Sequence, residues 1–279
     1  MTAFGERLRI AVGDRGRLCV GIDPHESLLT QWGLETSAAG VREFGLRVVD
    51  AAADRVAVIK PQVGFFERFG SAGFAALEDV LAAARAAGLI VIADAKRGDI
   101  GSTMDGYAAA WLTPGAPLEV DALTVSPYLG VGALDGAIRV AIDNDKGLFV
   151  LAATSNPEAS DLQHANALEE TVAGLVEQEV SAHNLAETGP DAWGSIGLVI
   201  GATVNLTSAG IGFDIRPPAP ILAPGFGAQG ARLGDIDDIF GALAPHVLAS
   251  VSRSVLTEGP DGLAGAIDAH INELEGPRG

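Results

Sequence analysis

Four charged side chains stand where short apolar runs of the sequence end: Asp23 after Leu18–Ile22, Lys60 after Val56–Ile59, and Asp94 and Lys96 after Leu89–Ala93. Ser126 follows Ala122–Val125 in the same way. Two carboxylates and two ammoniums gathered in one place can neutralise each other away from water and stabilise negative charge as it forms on a bound molecule. Asp94 and Lys96 are two residues apart, so strand alternation predicts both on one face, with Ile92 continuing that face into an apolar interior. Any one of these residues taken alone reads as an ordinary strand-end cap, and the whole set could be an ion-pair plug. A second group of residues weighs against the plug, because it forms an anion site that a plug would not need. Pro224-Gly225-Phe226-Gly227-Ala228-Gln229-Gly230 follows the seventh apolar run, and Ser252-Arg253-Ser254 follows the eighth. Glycine amides can approach phosphate oxygens closely, and arginine adds a bidentate charge. Glycine also serves plain turns, so the loop and Arg253 carry the phosphate reading only together.

These residues need a scaffold, and the alternation of short apolar runs with longer alanine-rich amphipathic stretches supplies one. The runs are Leu18–Ile22, Val56–Ile59, Leu89–Ala93, Ala122–Val125, Gly147–Ala152, Ile196–Gly201, Pro220–Leu222 and Val247–Val251. Helical patterns lie between them, such as Phe74–Ala87 before Gly88 and Ala165–Ala186 before Gly189, each closed by the glycine expected past a helix end. Eight βα units favour a closed barrel over an open sheet. The predicted fold is therefore α/β, one (β/α)₈ TIM barrel over residues 1–279, in the size range of ~250 residues usual for that fold. Thr113–Pro117, Arg216–Pro220 and Pro224–Gly230 are loop-sized Pro/Gly segments rather than linkers. In such barrels chemistry gathers at the carboxyl ends of the strands, where the charged residues above fall.

Composition removes several classes of function. With 36 acidic and 18 basic side chains the net charge is −18, which argues against nucleic acid or an anionic membrane as partner. The lone cysteine, Cys19, lies within an apolar run and is expected to be a buried thiol in a reducing, cytoplasmic setting. The start of the sequence mixes charge into every few residues, and no stretch approaches the ~20 apolar residues of a membrane span. The histidines, His25, His164, His183, His246 and His270, show none of the close spacings of zinc sites, so no metal is expected.

The stretch Asp94-Ala95-Lys96-Arg97-Gly98-Asp99-Ile100-Gly101-Ser102-Thr103 resembles the signature of the orotidine 5′-phosphate decarboxylase family, an Asp-x-Lys-x-x-Asp-Ile core followed by threonine. Gly21-Ile22-Asp23-Pro24, Lys60-Pro61-Gln62, Phe65-Phe66-Glu67, Ser126-Pro127-Tyr128, Thr154-Ser155-Asn156-Pro157, the glycine loop and Arg253 extend the resemblance from strand one to strand eight, in the family's longer bacterial branch. The resemblance implies a cofactor-free, metal-free conversion of orotidine monophosphate to uridine monophosphate. In it Lys96 stabilises and protonates a carbanion at C6, and Asp94 lies against the departing carboxylate and holds Lys96. Asp23 and Lys60 bind the ribose hydroxyls, Ser126 contacts the pyrimidine, and Gln229 and Arg253 grip the phosphate. Ile100, Pro127 and Gly230 complete the implied substrate contacts. Asp99 and Thr103 reach into the site of a second subunit, which implies a homodimer with shared sites.

Two positions depart from the family pattern. After strand six the chain reads Gly201-Ala202-Thr203-Val204-Asn205 where proline is expected at the fifth position, and Ala231 stands where a second glycine is common. The nearest enzymatic rival is a magnesium-dependent sugar-phosphate decarboxylase similar to the 3-keto-L-gulonate 6-phosphate enzyme, which shares the Asp-x-Lys-x-x-Asp core. Ile100, Ser126-Pro127 and Gln229 favour the nucleotide enzyme over it. A barrel that only binds uridine nucleotides would be expected to have lost part of the charged tetrad, which is whole here.

Overall fold

Short runs of aliphatic and β-branched residues, buried on both faces, are suited to the strands of a parallel barrel. The computed structural model, which describes residues 2–167 and 169–276, forms eight of them. They are β1 (Leu18–Ile22), β2 (Val58–Pro61), β3 (Ile90–Arg97), β4 (Ala122–Val125), β5 (Gly147–Ala153), β6 (Ile196–Ile200), β7 (Ile221–Pro224) and β8 (Val247–Val251). Each pairs in parallel with its neighbours in chain order, and β1 closes the ring on β8. Strand alternation divides the core in two. Cys19, Val58, Ile90, Ile92, Ala122, Phe149, Val199, Leu222 and Leu248 fill the barrel. Their neighbours along the strands pack outward against the helices. Gly197 leaves room for this filling, since a Cβ there would stand 2.7 Å from the Phe149 ring.

The amino end of the barrel is sealed by the helix Phe4–Arg15, whose Phe4, Leu8 and Val12 recur at helical spacing and join the interior cluster. The Phe4 and Phe149 rings meet edge to face at 6.3 Å. Arg7 donates to Asp121 at 3.0 Å and to the Asp145 carbonyl at 2.9 Å, fixing the plug. With this end closed, access to the interior is from the carboxyl ends of the strands.

The structure moves some boundaries. β3 runs on to Arg97, beyond the expected Ala93, and the helix expected at Phe74–Ala87 begins earlier, at Gly70. The expected helix Ala165–Ala186 is corrected to Val172–Glu187, preceded by a hairpin of Asn166–Ala167 with Glu170–Thr171; its Leu168 lies outside the described residues, as do residues 1 and 277–279 of the expected domain. Thr171 sets the boundary. Its hydroxyl oxygen accepts from the Gly174 amide at 2.9 Å as an N-cap and donates to the Ala209 carbonyl at 2.6 Å.

Candidate active site

The site begins with an irregularity in the sheet. β3 and β4 pair in register at Ile92 with Ala122 and at Ala93 with Leu123, and pairing resumes only at Arg97 with Val125. Asp94, Ala95 and Lys96 thus bulge opposite the single residue Thr124. Lys96 adopts a left-handed backbone with φ 49°, a conformation that costs a non-glycine residue ~1–3 kcal/mol and tends to occur at functional sites. Asp94 and Lys96 do come together as expected, Nζ on Oδ1, but through this bulge rather than through simple alternation.

Lys60, near the end of β2, places Nζ 2.8 Å from Oδ2 of Asp94. The Asp94 carboxylate therefore joins two ammoniums, one on each oxygen. Burial pushes the Asp94 carboxyl up, but Lys60 and Lys96 outweigh it and hold its pKa at about 2. Burial pushes the Lys60 ammonium down, but Asp94 and then Asp23 outweigh it and raise its pKa above the ordinary lysine value. Both charges are therefore retained in the interior. The two lysines differ in access: the side chain of Lys60 is 8% exposed and that of Lys96 45%. Of the pair, Lys96 offers a bound molecule the more accessible ammonium.

Two adjoining chambers open above this network. A cavity of about 250 Å³ is lined by Lys60, Asp94, Lys96, Thr124, Thr154, Ser155 and Asn156, with Leu151, Val199 and Leu222 as its apolar surface. A second, of about 350 Å³, is lined by Asp23, His25, Phe226, Ala228, Ser250, Ser252 and Arg253. Lys60, Pro224 and Gln229 belong to both, and the Ser155 hydroxyl donates to Gln229 Oε1 at 3.1 Å along their border. In the second chamber the buried Asp23 Oδ1 and Ser252 Oγ lack hydrogen-bond partners among the described residues, as sites for a polar ligand would. The glycine loop bends through Gly225, Gly227 and Gly230, with φ of 116°, 71° and 107°. It closes by Gly227 N–H to Ala231 O at 2.8 Å and Ala231 N–H to Gly225 O at 3.2 Å. Ala231 is not among the residues with positive φ, so alanine in place of glycine imposes no strain there. Asn205 likewise serves its loop, accepting from the Ser208 amide at 2.9 Å to start a turn.

Arg253 lies on the rim of the second chamber, exposed and without an ion pair among the described residues. A hollow of about 360 Å³ near the amino end also contains arginines, but Arg9 is held by Glu6 and Arg216 by Asp214, each at 2.7 Å. A cation on the rim with no ion pair among the described residues suits the carboxyl-end chamber to an anion. Arg253→Ala is accordingly expected to lower kcat/KM for a phosphorylated substrate by weakening capture. Steady-state kinetics check this, and an unchanged kcat/KM would place the phosphate elsewhere.

Of the expected site residues, Asp23, Lys60, Asp94, Lys96, Gln229 and Arg253 line the chambers, and Gly230 shapes the loop beside them. Ser126 and Pro127 line neither chamber; Ser126 lies past the end of β4, its amide donating to the Arg97 carbonyl at 2.8 Å. Ser155 and its neighbours, after β5, line the smaller chamber. Asp99, Ile100 and Thr103 also line neither chamber of their own chain. Asp99 Oδ1 accepts from the Ile100 amide at 2.8 Å, Ile100 is 63% exposed, and Thr103 is exposed in the first turn of the helix Gly101–Leu112. Thr124 was missed, although a lone hydroxyl at an inward position of an apolar strand is a readable signal. Among the described residues no three His, Cys, Asp or Glu side chains converge as metal ligands, and no helix is long and apolar enough to cross a membrane.

Barrels of this kind carry their active sites at the carboxyl ends of the strands, frequently with a phosphate site in the loops after strands seven and eight, and this chain has the layout of that class of enzyme. The model of the orotidine 5′-phosphate decarboxylase / HUMPS family matches residues 16–265, and the chain belongs to that family. The orotidine 5′-phosphate decarboxylase of Streptomyces coelicolor is 53% identical over 262 residues, covering 94% of this chain and 92% of that protein. A crystal structure from Streptomyces avermitilis, at 50% identity, superposes with a TM-score of 0.92 and covers 98% of this chain and 95% of that one. The Leishmania donovani OMP decarboxylase, 29% identical and covering 98% of each chain, gives a TM-score of 0.77.

Proposed function

We propose that this chain decarboxylates orotidine 5′-phosphate to uridine monophosphate and carbon dioxide, a step of pyrimidine biosynthesis. The observation that carries the reading is the accessible Lys96 ammonium, held by an ionised, buried Asp94 beside an apolar wall. The base would occupy the smaller chamber, with the phosphate between the glycine loop and Arg253 and the ribose near Asp23 and Lys60. The bond from C6 to the carboxylate breaks, its electron pair stays on C6, and carbon dioxide leaves. Lys96 stabilises that pair and then delivers a proton to it. Asp94 serves in two ways, anchoring Lys96 and crowding the substrate carboxylate with like charge, so that charge loss on reaction is favoured. Ser155 and Gln229, bonded along the border between the chambers, would hold the junction between base and phosphate.

The reading includes a homodimer in the cytoplasm. Asp99 and Thr103 lie outside their own chambers, and Ile100, Tyr128 and Leu129 expose apolar surface at 63%, 77% and 53%. A partner covering this rim would receive Asp99 into its site. The reaction is metal-free on this reading, which separates it from the magnesium-dependent sugar-phosphate branch. The test is the loss of absorbance of orotidine monophosphate with a chelator present. Turnover at the unchelated rate is expected, and a requirement for magnesium would overturn the reading.

A further inference from the structure

A regular parallel ladder gives each strand amide a carbonyl acceptor on its neighbour, and the bulge at residues 94–96 removes that acceptor for Lys96. The Lys96 amide donates instead to the hydroxyl oxygen of Thr124, at 2.9 Å. The same hydroxyl has one proton to give and two acceptors near it, Asp94 Oδ1 at 3.1 Å and the Ala93 carbonyl at 3.4 Å. The carboxylate is the closer and carries the charge, so it takes the proton. Thr124 is 1% exposed and β-branched, and its orientation is therefore fixed by packing and by a restricted χ1.

Resting on the decarboxylase reading, we propose that Thr124 is a positioning residue for the reaction: its hydroxyl ties the backbone of Lys96 to the carboxylate that the Lys96 side chain meets. One side chain thereby fixes both ends of the catalytic lysine. The amide bond holds the left-handed turn at residue 96, and the bond to Oδ1 orients the carboxylate on which Nζ rests. Without the hydroxyl the bulge amide loses its partner and Asp94 is free to rotate toward Lys60 alone. The ammonium would then sit off the reacting carbon while the rest of the base chamber and the phosphate loop stay as they are.

The test compares Thr124→Val, which keeps shape but removes the hydroxyl, with Thr124→Ser, which keeps the hydroxyl. Steady-state decarboxylation and calorimetric binding of uridine monophosphate are measured for both and for the wild type. The valine variant is expected to lose ~10- to 100-fold in kcat, the scale of an ångström-sized misplacement, with KM and product affinity nearly unchanged. The serine variant is expected to stay close to the wild type. Equal losses in both variants would show that the effect does not follow the hydroxyl and overturn the proposal, as would a valine variant with wild-type kcat or with a change in KM alone. If the valine variant does not fold, the serine variant decides by itself, since a large loss with the hydroxyl present contradicts the proposal and retained kcat supports it. A wild type that leaves orotidine monophosphate unconverted would bring down the functional reading itself, a result distinct from all of these.

Discussion

Lys96→Ala is expected to lower turnover by at least ~10²–10³-fold, the scale for removing a preorganised group that meets developing charge. Nucleotide binding should survive, because the groups placed around ribose and phosphate, Asp23, Gln229 and Arg253, lie in the second chamber and do not depend on the lysine. The fold should survive as well. Asp94 keeps Lys60 on its other oxygen at 2.8 Å, so the deletion leaves no buried carboxylate without a cation. The ammonium matters most once negative charge has formed on C6, so its loss should fall on kcat far more than on affinity for uridine monophosphate. Single-turnover decarboxylation and product binding by calorimetry separate the two effects. Activity within about tenfold of the wild type would remove Lys96 from this role, since even one preorganised donor contributes more than that.

Asp99→Ala is expected to be nearly inactive too, yet to restore activity when mixed with Lys96→Ala. Asp99 lies beyond β3 and lines neither chamber of its own chain, so its carboxylate would act across a two-fold interface. In a mixed dimer, the site built around Lys96 of the Asp99→Ala chain receives an intact Asp99 from the Lys96→Ala chain. The other site lacks both groups. With equal amounts and random pairing, about half of the dimers are mixed and one site in each is whole, so roughly a quarter of all sites regain wild-type chemistry. Co-refolding the two variants and comparing the mixture with each refolded alone measures this, with mixed dimers verified by mass. A mixture no more active than the sum of its parts would mean that Asp99 serves its own subunit.

The barrel was legible because each strand is a compact apolar run between glycine or proline signals, and parallel strands buried on both faces have little other composition available. Ends were less legible. The polar tail of β3, Asp94 to Arg97, lies past the apolar run, and it stays with the sheet because Arg97 re-pairs with Val125 beyond the bulge. The helix expected from Ala165 was misplaced because alanine-rich composition continues through the hairpin, whereas the boundary depends on a long-range bond from Thr171 to Ala209. The charged centre was legible from strand-end position, which is local in the sequence. Ser155 as a lining residue was less legible, because Thr154 separates it from the apolar run before it. Thr124 escaped for another reason: its importance comes from a bulge in the neighbouring strand.

The plug at the amino end has a bearing on biogenesis. The first helix leaves the ribosome before the rest of the chain, but Phe4 packs on Phe149 and the Gly5 amide reaches the Ser195 hydroxyl, 190 residues away in sequence. Its apolar stripe of Phe4, Leu8 and Val12 therefore lacks part of its native surface until residues of the later strands have been synthesised. Sequential addition of βα units cannot by itself complete this protein. The helix is made before residues that it packs on, and its apolar stripe waits for partners as far along the chain as Phe149 and Ser195.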